Sequence, residues 1–377
     1  MRSALAAAVA AAVVLAAAAQ DSQTLLAARR AAQALTQAAV ALEEAEEAQD
    51  RVAALTQTVR AYEQGLAALR EGLRQAVVRE GALRAALEAK RGEIERLTGA
   101  LAAIERMQDS GLLLHPDGPL QSLRAGLLIA AMSPALQAEA AALRAQFDEV
   151  ALLRSLQEGS AATLAEGLAG AQEARVRLSR AIAERAPLPR RPAADPEALA
   201  ALLAAADTLE SFAAGLMAVP LAGPEPATPP FAAARGTLPL PVEATVLRRF
   251  RSPDTAGVAR PGLVLAAAPQ ALVTAPSAAT VRYAGPLLDY GNVIVLEPGA
   301  GYLLILAGLG QMFVAESEVV TAGAALGLVG GASPGASAPP GAVEQRGGGD
   351  RSETLYMEVR EGGVPVDPET WFALERG

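Results

Sequence analysis

The chain has 377 residues and is 52% hydrophobic but only 3% aromatic, so small and aliphatic residues carry the apolar content and long helices are favoured. A formal charge of −9 with no concentrated basic face argues against nucleic-acid binding. There is no cysteine and a single histidine, His115, which excludes disulfides and removes the usual nitrogen and sulfur ligands of a catalytic zinc.

Arg2 is followed by an apolar run from Ala4 to Ala19 that ends in small residues, the pattern of a secretory signal cleaved after Ala19. The run is short for a membrane span, so export is expected. From Val52 to Ile104, positions 52, 55, 59, 62, 66, 69, 73, 76, 80, 83, 87, 90, 94, 97, 101 and 104 alternate spacings of three and four, and all are apolar except Glu80 and Lys90. Such a seam keeps one stripe facing a partner and predicts a coiled coil. Carried backwards, the register falls on Ala48, Ala45, Ala41, Ala38, Ala34 and Ala31, a thin seam that needs a neighbour.

Ser110-Gly111 and Pro116-Asp117-Gly118-Pro119 are turn chemistry and predict that the first helix stops near Met107. A heptad register restarts at Leu136, Ala140, Leu143, Phe147 and Val150, weakens at Arg154 and Gln157, and resumes from Ala161 through Leu164, Leu168, Ala171 and Leu178 to Ile182. The simplest arrangement is an antiparallel helical hairpin over residues 20–186, with arms of about 130 Å and about 75 Å and a tip at about 108–135. Leu127, Leu128, Ile129 and Met132 put an apolar cluster at that tip, to be read either as a binding site or as a cap folded on itself. His115 beside Pro116 reads as an exposed turn residue.

Residues 187–235 form a linker. Asp195-Pro196-Glu197 predicts a helix start, and a helix over 195–217 places Leu199, Leu202, Leu209 and Leu216 on one face, with Ala206 and Ala213 between them. That face must dock on something, and a movable latch and a fixed strut fit the pattern equally. Pro220 to Pro230 reads as a stiff tether. In residues 236–377, strand-like runs at 242–250, 262–268, 271–275, 280–283, 292–297, 302–307 and 355–360 predict a small antiparallel β domain, with a Gly/Ala/Ser/Pro-rich insertion at Gly331 to Arg351. The predicted class is α+β, a long coiled-coil hairpin followed by this domain.

Arg260-Pro261-Gly262-Leu263-Val264, Asp289-Tyr290-Gly291-Asn292-Val293-Ile294-Val295, Gly301-Tyr302-Leu303-Leu304-Ile305-Leu306-Ala307-Gly308-Leu309, Thr354-Leu355-Tyr356-Met357-Glu358-Val359-Arg360 and Val366-Asp367-Pro368 resemble, in order and spacing, the core of LytM-type (lysostaphin-like) endopeptidases over roughly residues 236–374. In active members the zinc ligands fall on the positions of Arg260, Val264 and Tyr356, and the catalytic histidines on those of Gly308 and Thr354. The resemblance therefore implies a degenerate domain with no metal, no cofactor and no peptidase activity. Export signal, hairpin, connector helix and degenerate LytM domain together resemble the murein hydrolase activator EnvC family. That resemblance implies a periplasmic activator of N-acetylmuramoyl-L-alanine amidases in the cell division of a Gram-negative envelope. It also implies a coiled coil engaged by an FtsEX-type membrane complex, and a groove lined by Val264, Tyr290, Tyr356 and Arg360 that binds the amidase and is covered by the connector helix. Two other classes are compatible: a periplasmic adaptor of an export machine, and a passive tether that binds peptidoglycan.

Overall fold

The computed structural model describes residues 33–34, 36–45, 47–92, 94–96, 99, 119–193, 195–222, 231–253, 257, 259–299, 301–330 and 352–373. The export segment, the end of the first helix near Met107, His115, the 223–230 part of the tether and the 331–351 insertion lie outside the described residues. The chain divides into two compact units, one over Ala68–Leu168 and the other over Ala27–Ala67 and Ala169–Gly377. Among the described residues no helix is long and apolar enough to cross a membrane.

Two long helices, α1 (Ala48–Ala89) and α2 (Pro119–Glu184), run through both units. On α1 the three-four seam is the less exposed stripe: Val52, Leu55, Val59, Leu66, Glu80 and Leu87 are buried and the seam positions between them half-buried. In the first unit the two helices meet through polar contacts. Arg79 pairs with Glu149 at 3.0 Å, while Glu80, a charge inside the seam, receives Arg154 and Gln157 at 3.0 Å and pairs with Arg84.

Four expectations need correction. Residues 119–135 are helical from Pro119, not part of a non-helical tip, because Pro119 suits the first helical position and Leu120–Met132 is rich in helix formers; Pro134 is accommodated inside the helix. The alanine seam is not one continuous helix into α1. Helix is interrupted near 45–47, where Glu43, Glu44, Glu46 and Glu47 set like charges three and four residues apart. The return register drifts by one residue, leaving Phe147 51% and Leu168 37% exposed, with Gln146 and Gly167 in their places. The connector is two helices, α3 (Pro196–Ala205) and α4 (Leu209–Ala218), rather than one. Asp195 caps the first through the N–H groups of Glu197 and Ala198, as its sequence implies. The break comes because Thr208 and Ser211 form a reciprocal capping box that starts a new helix.

The rest of the second unit is one antiparallel sheet: β1 (Ala244–Arg248), β2 (Leu263–Ala267), β3 (Leu272–Thr274), β4 (Ala279–Pro286), β5 (Asn292–Gly299), β6 (Tyr302–Met312), β7 (Val319–Val320), β8 (Ala325–Val329), β9 (Glu353–Glu361) and β10 (Val364–Val366). The order is β1-β2-β9-β6-β5-β4-β7, with β10 beside β9 and β8 joining β3 to β6. Alternation sorts the side chains into two layers. Leu263 and Leu265 of β2, Ile294 and Leu296 of β5, Leu304 and Leu306 of β6 and Met357 and Val359 of β9 face one core, closed by Phe231, Trp371 and Phe372. Val264, Val293, Val295, Leu303, Ile305, Ala307 and Tyr356 face the other way.

The bases of α1 and α2 dock on β3 and β8 within this unit. Val52, Leu55, Val59, Ala174 and Leu178 cluster with Leu272, Phe313, Ala325 and Leu328, and Leu42 of the preceding alanine-rich stretch packs on the same cluster. Buried Glu63 fixes the junction, pairing with Arg175 at 2.6 Å and accepting the Leu272 N–H at 2.9 Å. Arg185, near the end of α2, donates to the Phe313 carbonyl at 2.9 Å.

Candidate functional site

The second sheet face brings together most of the residues singled out from sequence. Val264 on β2 lies directly opposite Tyr356 on β9, and Tyr356 opposite Ala307 on β6. Gly308, the next residue on β6, has φ +97°, and a Cβ there would stand 2.6 Å from the Thr354 carbonyl, so the backbones close up and leave no room for a side chain. Gly262 is equally tight: a Cβ would fall 2.6 Å from the Tyr356 ring. Tyr290, ending a short 3-10 helix before β5, lies 5.9 Å from the Tyr356 ring centre. Arg260 stands on the segment entering β2, where its carbonyl accepts the Arg251 N–H at 3.0 Å.

Positions 354, 356, 358 and 360 share one face of β9. They carry a buried polar ladder: Tyr356 Oη donates to Glu358 Oε2 at 2.5 Å, and Arg360 Nε donates to Glu358 Oε1 at 2.5 Å. Both Glu358 and Arg360 are 1% exposed. Burial pushes the Glu358 carboxyl above the ordinary glutamate range despite Arg360, and burial first, then the charge of Glu358, pushes the Tyr356 phenol far up, so it stays a donor.

The donor set does not fit zinc. Val264 and Gly308 have no ligating atom, Arg260 is a cation, the Tyr356 phenol is protonated, and the carboxylate of Glu358 is already bonded on both oxygens. Among the described residues no three His, Cys, Asp or Glu side chains come together to hold a metal.

The face is covered by the connector. Leu199 of α3 and Leu209, Phe212, Ala213 and Leu216 of α4 are buried in one cluster with Val264, Tyr283, Leu287, Val293, Val295, Leu303, Ile305, Ala307 and Tyr356, and Leu202 and Tyr290 are partly buried against it. All four leucines of the sequence-derived face therefore turn to the same side, although the helix is broken. Phe212 meets Tyr283 edge-on at 5.1 Å. Two buried arginines add polar contacts. Arg282 of β4 donates to the Leu216 and Val219 carbonyls at the end of α4 and pairs with Glu297 of β5; Arg360 donates to the Glu210 carbonyl at 3.4 Å.

Sequence reasoning missed Phe212, Arg282 and Glu358. Phe212 was within reach, since it lies three residues after Leu209 and four before Leu216. Nothing local marks Arg282 as an anchor of the connector, because its partners on α4 are more than sixty residues away. Leu127, Leu128, Ile129 and Met132 lie on the α2 backbone, outside the residues whose side chains are described.

Residues 259–368 match the model of Peptidase family M23. This segment is an M23 domain. The family is connected with peptidoglycan. Over 142 residues the chain is 30% identical to an uncharacterized protein of Neisseria meningitidis, NMB1333, covering 38% of this chain and 21% of that protein, so the chain spans about a fifth of the relative's length. Among solved structures, Csd3 of Helicobacter pylori is 20% identical over 37% of this chain and 35% of that one, with a TM-score of 0.28. An M23 peptidase of Pseudomonas aeruginosa is 19% identical over 41% and 55%, with a TM-score of 0.29. A zinc-containing peptidase of Vibrio cholerae is 20% identical over 35% and 39%, also at 0.29.

Proposed function

We propose that this chain is an exported, non-catalytic activator of the EnvC type, working in the periplasm of a Gram-negative cell during daughter-cell separation. Its M23 domain docks an N-acetylmuramoyl-L-alanine amidase on the face lined by Val264, Tyr290, Tyr356 and Arg360, and the amidase does the cutting. The observation that carries this reading is the pairing of a site without a zinc-compatible donor set with a full apolar cover from Leu199, Leu209, Phe212 and Leu216. A face kept closed by a segment of its own chain suits a switch, because cover and partner compete for one surface. Tyrosine and arginine at its floor are residue types enriched among interface anchors.

The helices are read as an antiparallel coiled-coil hairpin that receives a signal from an FtsEX-type membrane complex through the segment bearing Leu127, Leu128, Ile129 and Met132. Contacts of Glu63 with Arg175 and of Glu80 with Arg154 support that pairing. Within the second unit the helix bases dock on β3 and β8.

The test is dye release from purified peptidoglycan by the chain alone, a cognate amidase alone and the two together, repeated with residues 195–218 deleted. The chain alone should release nothing, and the deletion should stimulate the amidase more than the full chain does. Cleavage by the chain alone with stoichiometric zinc would overturn the reading. Loss of stimulation on deletion would make the connector part of the activating surface, and capture by peptidoglycan without amidase stimulation would favour the passive tether.

A further inference from the structure

The turn between β4 and β5 carries a residue that its backbone does not suit. Leu288 has φ +47°, in the left-handed region that glycine and asparagine tolerate and leucine does not. Its side chain is also 50% exposed. Three other non-glycine residues described here are left-handed, Arg251, Gln270 and Ser317, and all three are polar. Leu247 and Val364 are exposed as well, but they sit on the ordinary strand backbone of β1 and β10. Among the described residues, a left-handed backbone and an exposed large apolar side chain therefore coincide at Leu288 alone.

The rest of the turn holds that conformation in place. The Leu287 N–H donates to the Gly291 carbonyl at 2.9 Å and the Tyr290 N–H to the Leu287 carbonyl at 3.1 Å, while the Tyr283 hydroxyl donates to the Pro286 carbonyl just before them. Leu287, 5% exposed, is buried in one cluster with Val264 and Tyr356, and Tyr290 is partly buried against it. One leucine thus fastens the turn to the second sheet face, and the next is left in solvent at its edge. Unlike Val264 and Tyr356, Leu288 is accessible with the connector in place. Strained backbone persists where its surroundings over-determine it, and such positions gather where a protein grips a ligand. A side chain already fixed in this way loses little freedom on binding.

We propose that Leu288 is an apolar anchor of the docking face and enters a hydrophobic pocket on the amidase. The proposal rests on the amidase-docking reading and adds to it a contact outside the covered floor. Asparagine tolerates the left-handed backbone and is polar, so Leu288→Asn relieves the strain and removes the anchor together. Stability and docking then move in opposite directions, which a merely structural leucine would not produce.

The experiment takes the full-length chain and measures its melting temperature and the concentration giving half-maximal stimulation of a purified N-acetylmuramoyl-L-alanine amidase in dye release from peptidoglycan. For Leu288→Asn the melting temperature should hold or rise by about 2 °C, while the half-maximal concentration should rise about tenfold. Leu288→Met keeps an apolar side chain and should hold that concentration within about twofold. A clear fall in melting temperature for Leu288→Asn would make Leu288 a packing residue, and an unchanged half-maximal concentration would show that no pocket receives it. An equal loss of stimulation in Leu288→Met and Leu288→Asn would assign the effect to the shape of the turn. Each of these overturns the anchor and leaves the docking reading standing. No stimulation by the native chain would sink the docking reading and the anchor with it.

Discussion

The two faces of the sheet are built from alternate residues of the same strands, yet they are closed in different ways. One is sealed by large apolar groups from the chain's own ends of the domain, with Phe231 stacked on Trp371 at 4.8 Å and Tyr302 edge-on to Trp371 at 5.3 Å. The other carries ion pairs in its floor, Arg360 with Glu358 and Arg282 with Glu297, and is closed by a separate helical hairpin. The first arrangement maximises buried apolar area. The second leaves donors that need acceptors from whatever covers them, so its cover is exchangeable only for something that also satisfies them.

The sharpest way to break this contrast is Trp371→Ala, which should destabilise the domain by about 4 kcal/mol through loss of a fully buried ring, read as a fall in the denaturation midpoint. The groove cover should be affected only as the whole domain is. A smaller loss is expected for Arg360→Met, about 3 kcal/mol, because Glu358 is left as an unpaired buried charge. The double variant Glu358→Gln with Arg360→Met should recover part of that loss. If the double variant is as unstable as the single, the ladder is packing and not charge compensation.

The smallest effect is a slope. Because the folded-state value of Glu358 is raised above the ordinary 4.5, the folded chain holds more protons than the unfolded one between those two values. Its contribution to stability is therefore full below that range and is lost as pH rises through it. Glu63, also raised by burial, has the same sign at the helix junction. Melting temperature measured upward from pH 4.5 should fall for the native chain and fall less for the double variant. An equal slope in both would place the effect elsewhere.

Much of this was legible because it is periodic. The seam from Val52 to Leu87 is the buried stripe of α1; β2 lies within its expected run, and β4, β5, β6 and β9 lie on theirs, extended by a few residues. The short strands β7 and β10 and the uniformly buried β8 were not found, since two or three residues carry no period and Ala325–Val329 does not alternate. The break between α3 and α4 was hidden by leucines that keep their side on both helices, while its cause, Thr208 reaching Ser211, is a local signal that could have been read.

By itself the sequence determined the longer strands and the apolar side of α1 and of the connector, because side-chain alternation and helix spacing are properties of neighbouring residues. Residue identity alone also decides that positions 260, 264, 308, 354 and 356 carry neither histidine nor carboxylate. Only the tertiary structure decided that the leucines of the connector lie in one cluster with Val264 and Tyr356, and that Arg282 holds the end of α4. These contacts join segments far apart in the chain, and no local pattern records a partner that only folding brings near.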